Sequence, residues 1–225
     1  MRCQDFSPDR VDDWILPRRG ATDLTDRTGY GTCIASKALG FINGVSKGAR
    51  LVPVKVQMDA ASISAALIKT TDQIESMQRV AVSVVVLPFQ SIQDFPLIDI
   101  SVEDTEPWRT ILGAIRSLTE IGVPVIVPAG DDGKQTWGVN ALPQIWASLS
   151  DLIVVSAVTQ RAGKASFTQV LPRSSRGTRR IYAPGEKVAC AGLKESGTVE
   201  KTGTAFAAGM VSLRMTHEQT ARQAD

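Results

Sequence analysis

Residues 123–133 read Val123-Pro124-Val125-Ile126-Val127-Pro128-Ala129-Gly130-Asp131-Asp132-Gly133. The run up to Ala129 is apolar at every position, so both faces of the strand it forms must be covered. Asp-Asp-Gly then closes the strand as a turn, because short polar side chains bond their own backbone there. A strand covered on both faces belongs to a parallel sheet flanked by helices, and the rest of the chain repeats that pattern. Strands are predicted at 51–56, 80–88, 124–129, 152–158 and 180–188, all rich in Val and Ile. Between them, 62–79 sets Ile63, Ala66, Leu67, Ile74 and Met77 at helical spacing. Residues 106–121 open with Pro107, suited to a first turn, and stripe Ile111, Leu112, Ile115 and Leu118 along one side. This alternation predicts a doubly wound α/β fold, a mostly parallel sheet with helices on both faces and right-handed crossovers. One domain over 1–225 is expected, with an irregular segment at 1–25 and a polar, frayed tail at 217–225.

Composition narrows the function. The chain has 225 residues, 43% hydrophobic and 21% charged, which is the balance of a globular domain large enough to fold without metal or disulfide staples. Lys and Arg number 25 against 23 Asp and Glu, a net charge of +2, so no global basic field draws nucleic acid. Aromatic residues are 5% of the chain, too few for a base-stacking platform. The one basic cluster, Arg173-Ser174-Ser175-Arg176-Gly177-Thr178-Arg179-Arg180, is read as a solvated loop. Cys3, Cys33 and Cys190 are widely spaced and make neither a disulfide framework nor a zinc-ligand pattern. With a single histidine, His217, no metal site is expected, and no cofactor is implied. Residues 1–17 lack the apolar core of a secretory signal, and no apolar run approaches the roughly 20 residues that cross a bilayer. A cytoplasmic protein without membrane or nucleic-acid partners is the resulting expectation.

Three segments, in order, resemble the subtilisin-like serine peptidases (subtilases). Gly29-Tyr30-Gly31-Thr32-Cys33-Ile34-Ala35-Ser36, followed by Gly44-Val45 and by residues 48–56, resembles the family's Gly-His-Gly-Thr helix opening, glycine-rich loop and next strand. Residues 123–133 resemble the strand ending in Ala-Gly-Asn. Gly203-Thr204-Ala205-Phe206-Ala207-Ala208-Gly209-Met210-Val211 resembles Gly-Thr-Ser-Met-Ala-Ala-Pro-His-Val around the nucleophile. Residues 84–90 sit where the family pairs its substrate, and Tyr182-Ala183-Pro184-Gly185 matches its Ala-Pro-Gly turn. The resemblance implies a subtilisin-like fold, N-terminally trimmed.

It also implies that the chemistry has gone. Tyr30 stands at the histidine position, Ala205 at the serine and Asp131 at the oxyanion asparagine. The family's aspartate follows an apolar strand, and none of Asp5, Asp9, Asp12, Asp13, Asp23 or Asp26 does. Alanine offers no nucleophile, and a tyrosine of pKa about 10 is a poor base at neutral pH. An ionised Asp131 repels the negative charge that an oxyanion site must hold. No catalytic residue is therefore expected, and proteolysis is predicted absent.

The side chains left to line a ligand cleft are Tyr30, Cys33, Pro88, Phe89, Asp131, Trp137 and Ala205. Tyr30 is read as filling the space of an imidazole and packing on the Ala205 helix, and Cys33 as a small buried filler. Asp131 and Asp132 are read as a solvated turn, and Trp14, Trp108, Trp137 and Trp146 as anchors, with Trp137 close enough in sequence to line the cleft. Pro88, lacking an N–H, and Gln90, larger than glycine, weaken pairing with a peptide strand. Three readings stay open: an inactive binding or scaffold module for a peptide, small molecule or protein; an enzyme repurposed for non-proteolytic chemistry; and a remnant or incomplete gene product, a peptidase by ancestry only.

Overall fold

The computed structural model describes residues 25–46, 48–56, 59–89, 106–133, 149–169, 177–193 and 197–212. In chain order they form α1 (Tyr30–Leu39), α2 (Ala60–Ser76), β1 (Val85–Val86), α3 (Glu106–Glu120), β2 (Val125–Pro128), β3 (Leu152–Val158), β4 (Arg179–Pro184), β5 (Val188–Ala191), β6 (Thr198–Lys201) and α4 (Thr204–Val211). The main sheet has the order β1-β2-β3-β4, and each neighbouring pair is parallel. A separate antiparallel hairpin joins β5 to β6, with Val188 opposite Lys201 and Ala191 opposite Thr198.

Side-chain alternation along the central strands builds a core on each face of that sheet. Val125 and Val127 of β2, with Leu152 and Val154 of β3, point to one side, where Ile63, Leu67 and Ile74 of α2 meet Ile111, Ile115 and Leu118 of α3. The intervening Ile126, Ile153, Val155 and Ala157 point to the other side and pack on Ala207, Ala208 and Val211 of α4. This is the expected doubly wound α/β arrangement, helices on both faces of a parallel sheet. Small residues, Ala207 and Ala208 of α4 with Ala157 and Ala183 of the strands, let α4 lie directly on β2, β3 and β4. α1 in turn crosses α4 at Gly209, where an added Cβ would lie 3.0 Å from the Ile34 carbonyl oxygen. A side chain there would require Ile34 to give by a few tenths of an ångström.

Several sequence expectations need correction. Residues 51–56 form no strand beyond a single bridge at Leu51, and Pro53 removes one of the donors that a ladder requires. The strand expected at 80–88 shortens to Val85–Val86, because Val80–Val82 turn as a 3₁₀ helix. The strand expected at 180–188 is two strands in different sheets, β4 and β5, divided by a turn that puts Lys187 at φ 49°. Arg179 and Arg180 are exposed residues of β4 and not part of a loop, since their backbone pairs with Ile153 and Val154. Met77 is 45% exposed just past the end of α2, so it leaves the buried stripe. The segments 1–24 and 213–225, with Trp14, Trp137, Trp146, Gln90, His217 and Cys3, lie outside the described residues.

The cysteine reading is corrected most. Cys33 and Cys190 are both completely buried, and their sulfurs are bonded in a disulfide with the Cα atoms 5.0 Å apart. The partners are 157 residues apart, and only the docking of α1 against β5 brings them together. Among the described residues no helix is long and apolar enough to cross a membrane.

Candidate functional site

The C-terminal ends of β1 and β2 meet the N-termini of α1 and α4, the place where open α/β sheets gather their ligand-binding groups. Each of these helices starts at a glycine that has no side chain to cap it, Gly29 for α1 and Gly203 for α4. In both cases a carboxylate from outside the helix supplies the missing acceptor.

Asp26 serves α1. Its Oδ1 accepts from the Thr28 N–H (2.9 Å), the Thr28 hydroxyl (3.1 Å) and the Gly29 N–H (2.9 Å), and its Oδ2 accepts from the Thr32 N–H (2.8 Å). Partial burial pushes this carboxyl up, but the N–H groups of Thr32, Thr28 and Gly29 outweigh burial and hold it at about 2. A folded-state value below the unfolded one makes the stabilisation present above about pH 4 and lost as pH falls toward 2. Asp26→Ala is expected to cost about 1–2 kcal/mol at pH 7, a figure already discounted for solvent screening. Urea melts should show the gap between the two proteins closing on acidification. A gap that stayed constant down to pH 2 would sink this assignment.

Asp131 serves α4. Its Oδ1 accepts from the Thr204 N–H at 2.7 Å, while the Gly130 N–H donates to the Thr204 hydroxyl at 3.1 Å. The carboxylate lies so close to the chain that a Cβ on Gly203 would sit 2.7 Å from Oδ2. Asp131 is thus a helix-capping group and not the solvated turn residue read from sequence. Burial raises its carboxyl above the usual range. The Thr204 N–H and hydroxyl pull it back in part, and the nearby Asp132 charge raises it further. Here the sign is opposite to that of Asp26. The folded state holds the proton more tightly, so stability is lost as pH rises from about 4 through the folded-state value. Asp131→Asn removes this titration. Relative to the variant, the unmodified chain should become less stable across that rise, and a relative gain would contradict the reading.

Tyr30 occupies the space between these two helix ends. Its hydroxyl donates to the Pro88 carbonyl at 2.8 Å, and its ring stands edge-on to Phe206 with centroids 5.4 Å apart and planes at 69°. Cys33, Ile34, Val188, Cys190, Ala205 and Phe206 form one buried cluster, against which Tyr30 packs. Ala205 is fully buried in the first turn of α4. Pro88 and Phe89 follow β1, with the Phe89 N–H donating back to the Leu87 carbonyl, so the chain turns at Pro88 and presents its carbonyl to Tyr30. Of the cleft residues named from sequence, the structure therefore gathers Tyr30, Cys33 and Ala205 in one cluster, sets Pro88 on Tyr30 and Asp131 on α4, and buries Phe89 in the core on the α2–α3 face. Trp137 is outside the described residues.

Sequence reasoning passed over three participants. Asp26 carried a legible signal, an aspartate just before a helix opening. Phe206 sat inside a quoted motif, but its ring partner lies 176 positions away. The Cys33–Cys190 bond had no local signal at all. Among the described residues no group of three or more His, Cys, Asp or Glu side chains converges as a metal site would require.

Comparison with known proteins follows the same lines. A model of the Subtilase family matches residues 6–221. The chain is 28% identical over 193 residues to the subtilisin-like serine protease Pen c 1 of Penicillium citrinum, covering 84% of this chain and 43% of that protein. It therefore spans less than half the length of this curated relative. Among solved structures it resembles the prenylagaramide maturation protease PagA (TM-score 0.65, 21% identity, 88% of this chain and 67% of that one). Sphericase is similarly close (TM-score 0.65, 21% identity, 89% and 66%), as is the PatG macrocyclase domain (TM-score 0.64, 18% identity, 87% and 54%). At these identities the structures speak for the fold, while the family match runs along nearly the whole sequence. The chain belongs to the subtilase family.

Proposed function

We propose that this chain is a catalytically inactive subtilase that acts as a binding or scaffold module, with an extended peptide as its ligand. The observation that carries this reading is what fills the place of the reaction centre. Ala205, fully buried in the first turn of α4, brings no hydroxyl, and the Thr204 N–H beside it is already committed to the Asp131 carboxylate. A helix N-terminus can stabilise an incoming anion only if its N–H groups are free. Here an internal carboxylate already takes the Thr204 N–H, and a second negative charge arriving beside it would be repelled by Asp131. Tyr30 adds no base, since its hydroxyl is spent on the Pro88 carbonyl.

Among the described residues the scaffold around these groups is nonetheless well packed, with a core on both faces of the sheet and both helix starts capped. That combination supports retention for binding. The Cys33–Cys190 bond further supports residence in an oxidising compartment, where such bonds persist, and argues against the cytoplasm. The test is capture from a pool of random short peptides by the full chain, run with and without dithiothreitol, with selected sequences read by mass spectrometry. A shared sequence pattern among captured peptides is expected, and capture no better than by an unrelated protein in both conditions would refute the reading.

A further inference from the structure

Cys33 lies one helical turn beyond Tyr30, and residues three apart share a face of α1. Both side chains belong to the cluster that contains Ala205, Phe206 and Cys190. The first turn of α1 thus carries the tyrosine that closes on Pro88 and, on the same side, the cysteine bonded to β5. Further along the helix the ties to β5 are hydrogen bonds: Ser36 Oγ accepts from the Ala191 N–H at 2.9 Å, and Lys37 Nζ donates to the Ala189 carbonyl at 3.0 Å. The covalent tie is the one nearest Tyr30.

We infer that the Cys33–Cys190 disulfide is a redox-controlled latch on the binding edge. The cross-link clamps the first turn of α1 on β5 and so holds the Tyr30 hydroxyl on the Pro88 carbonyl. While that bond stands, the Tyr30 hydroxyl competes with an added peptide strand for the Pro88 carbonyl. The latch opens when a dithiol donates two electrons and two protons. The S–S bond breaks, Cys33 and Cys190 become thiols, and the dithiol leaves as its own disulfide. Closing reverses the exchange, with a disulfide oxidant taking up the two electrons and two protons. Both sulfurs are buried, so exchange requires α1 to part from β5 locally, which makes the switch slow. This regulation rests on the proposed peptide-binding reading.

The test compares the unmodified, oxidised chain with a Cys33→Ala/Cys190→Ala variant, which mimics the open latch without needing reductant to reach the sulfurs. The chain has two tyrosines, and Tyr182 is 52% exposed, so nitration by tetranitromethane carries an internal reference. Far-UV circular dichroism at 25 °C reports whether the sheet stays folded. Tyr30 nitration should rise about tenfold in the variant, the factor expected from losing one hydrogen bond, while Tyr182 nitration and the native far-UV signal hold. An unchanged Tyr30 overturns the latch. Loss of the native far-UV signal together with Tyr30 protection also overturns it, because the bond would then hold the whole fold and not one turn. Tyr30→Phe in the oxidised chain checks the carbonyl separately: it keeps the ring and the disulfide, and it should raise capture from the random peptide pool. If Tyr30 is freed in the cysteine variant but neither variant captures peptide, the latch stands and the peptide-binding reading falls.

Discussion

Replacing Cys33 and Cys190 together by alanine lowers the unfolding free energy by about 3–5 kcal/mol. The size follows from the span of the cross-link. With 157 residues between its ends, the bond removes loop-closure freedom from the unfolded chain worth about 5 kcal/mol on the entropic model, the upper end of what disulfides deliver. Alanine in both places leaves no buried thiol and loses only a small part of the packing against Phe206, Ile34 and Val188. Domains of this size carry about 5–15 kcal/mol in total, so the variant should remain folded at 25 °C with a clearly lower urea midpoint. The Ile111–Ile115–Leu118 core on the opposite face does not touch the bond and keeps the sheet assembled. Equilibrium urea unfolding of the two proteins at equal slope measures the difference. A loss below about 1 kcal/mol would mean that the unfolded chain is not constrained by the bond, or that the bond does not form in the protein.

Restoring the family's side chains is not expected to restore a peptidase. The combined variant Tyr30→His, Asp131→Asn, Ala205→Ser is expected to remain at least about 10⁴-fold below an active subtilase in kcat. A serine alone has no base to take its proton, and an imidazole alone has nothing to hold its tautomer. In subtilisin, losing the aspartate by itself costs about 3 × 10⁴ in kcat. The carboxylate that the structure places beside the Tyr30 turn is Asp26, and both of its oxygens accept backbone N–H groups of that turn. Swinging Asp26 toward a histidine would uncap α1, so it cannot serve both purposes. Hydrolysis of a chromogenic peptide ester and a peptide amide by the purified variant measures the remaining activity. A rate within tenfold of a working subtilase would show that an orienting carboxylate is present after all.

What was legible in the sequence was legible for one physical reason. β3 is predicted to the residue because Leu152–Val158 are covered on both faces by α3 on one side and α4 on the other, and an unbroken apolar run encodes that directly. β2 and the buried stripe of α3 follow for the same reason. Residues 51–56 and 80–84 are just as rich in valine but sit at the margin of the sheet, with Val82 49% exposed, so hydrophobicity alone overstates their pairing. The hairpin of β5 and β6 was missed because its outer strand, Thr198–Lys201, is half exposed and carries little apolar signal.

The site divides in the same way. The changes at Tyr30, Asp131 and Ala205 can be named from motif positions, but what those side chains do instead depends on contacts between distant segments. Asp131 finds Thr204, Tyr30 finds Pro88, and Cys33 finds Cys190 only after the helices are docked. A local pattern can name the positions that depart from a motif. Only the packed structure shows what Tyr30 and Asp131 bond.

The central claim is that these acquired partners have replaced catalysis, and one measurement meets it head-on. The purified, oxidised chain is incubated with a library of unfolded peptides beside the Tyr30→His, Asp131→Asn, Ala205→Ser variant, and new termini are identified by mass spectrometry. The account predicts no new termini from the unmodified chain, since loss of the triad in subtilisin alone costs about 10⁶-fold in kcat. Specific cleavage by the unmodified chain, abolished by no change at Tyr30 or Asp131, would show that a nucleophile elsewhere does the work and that the reading of Ala205 as the emptied centre is wrong.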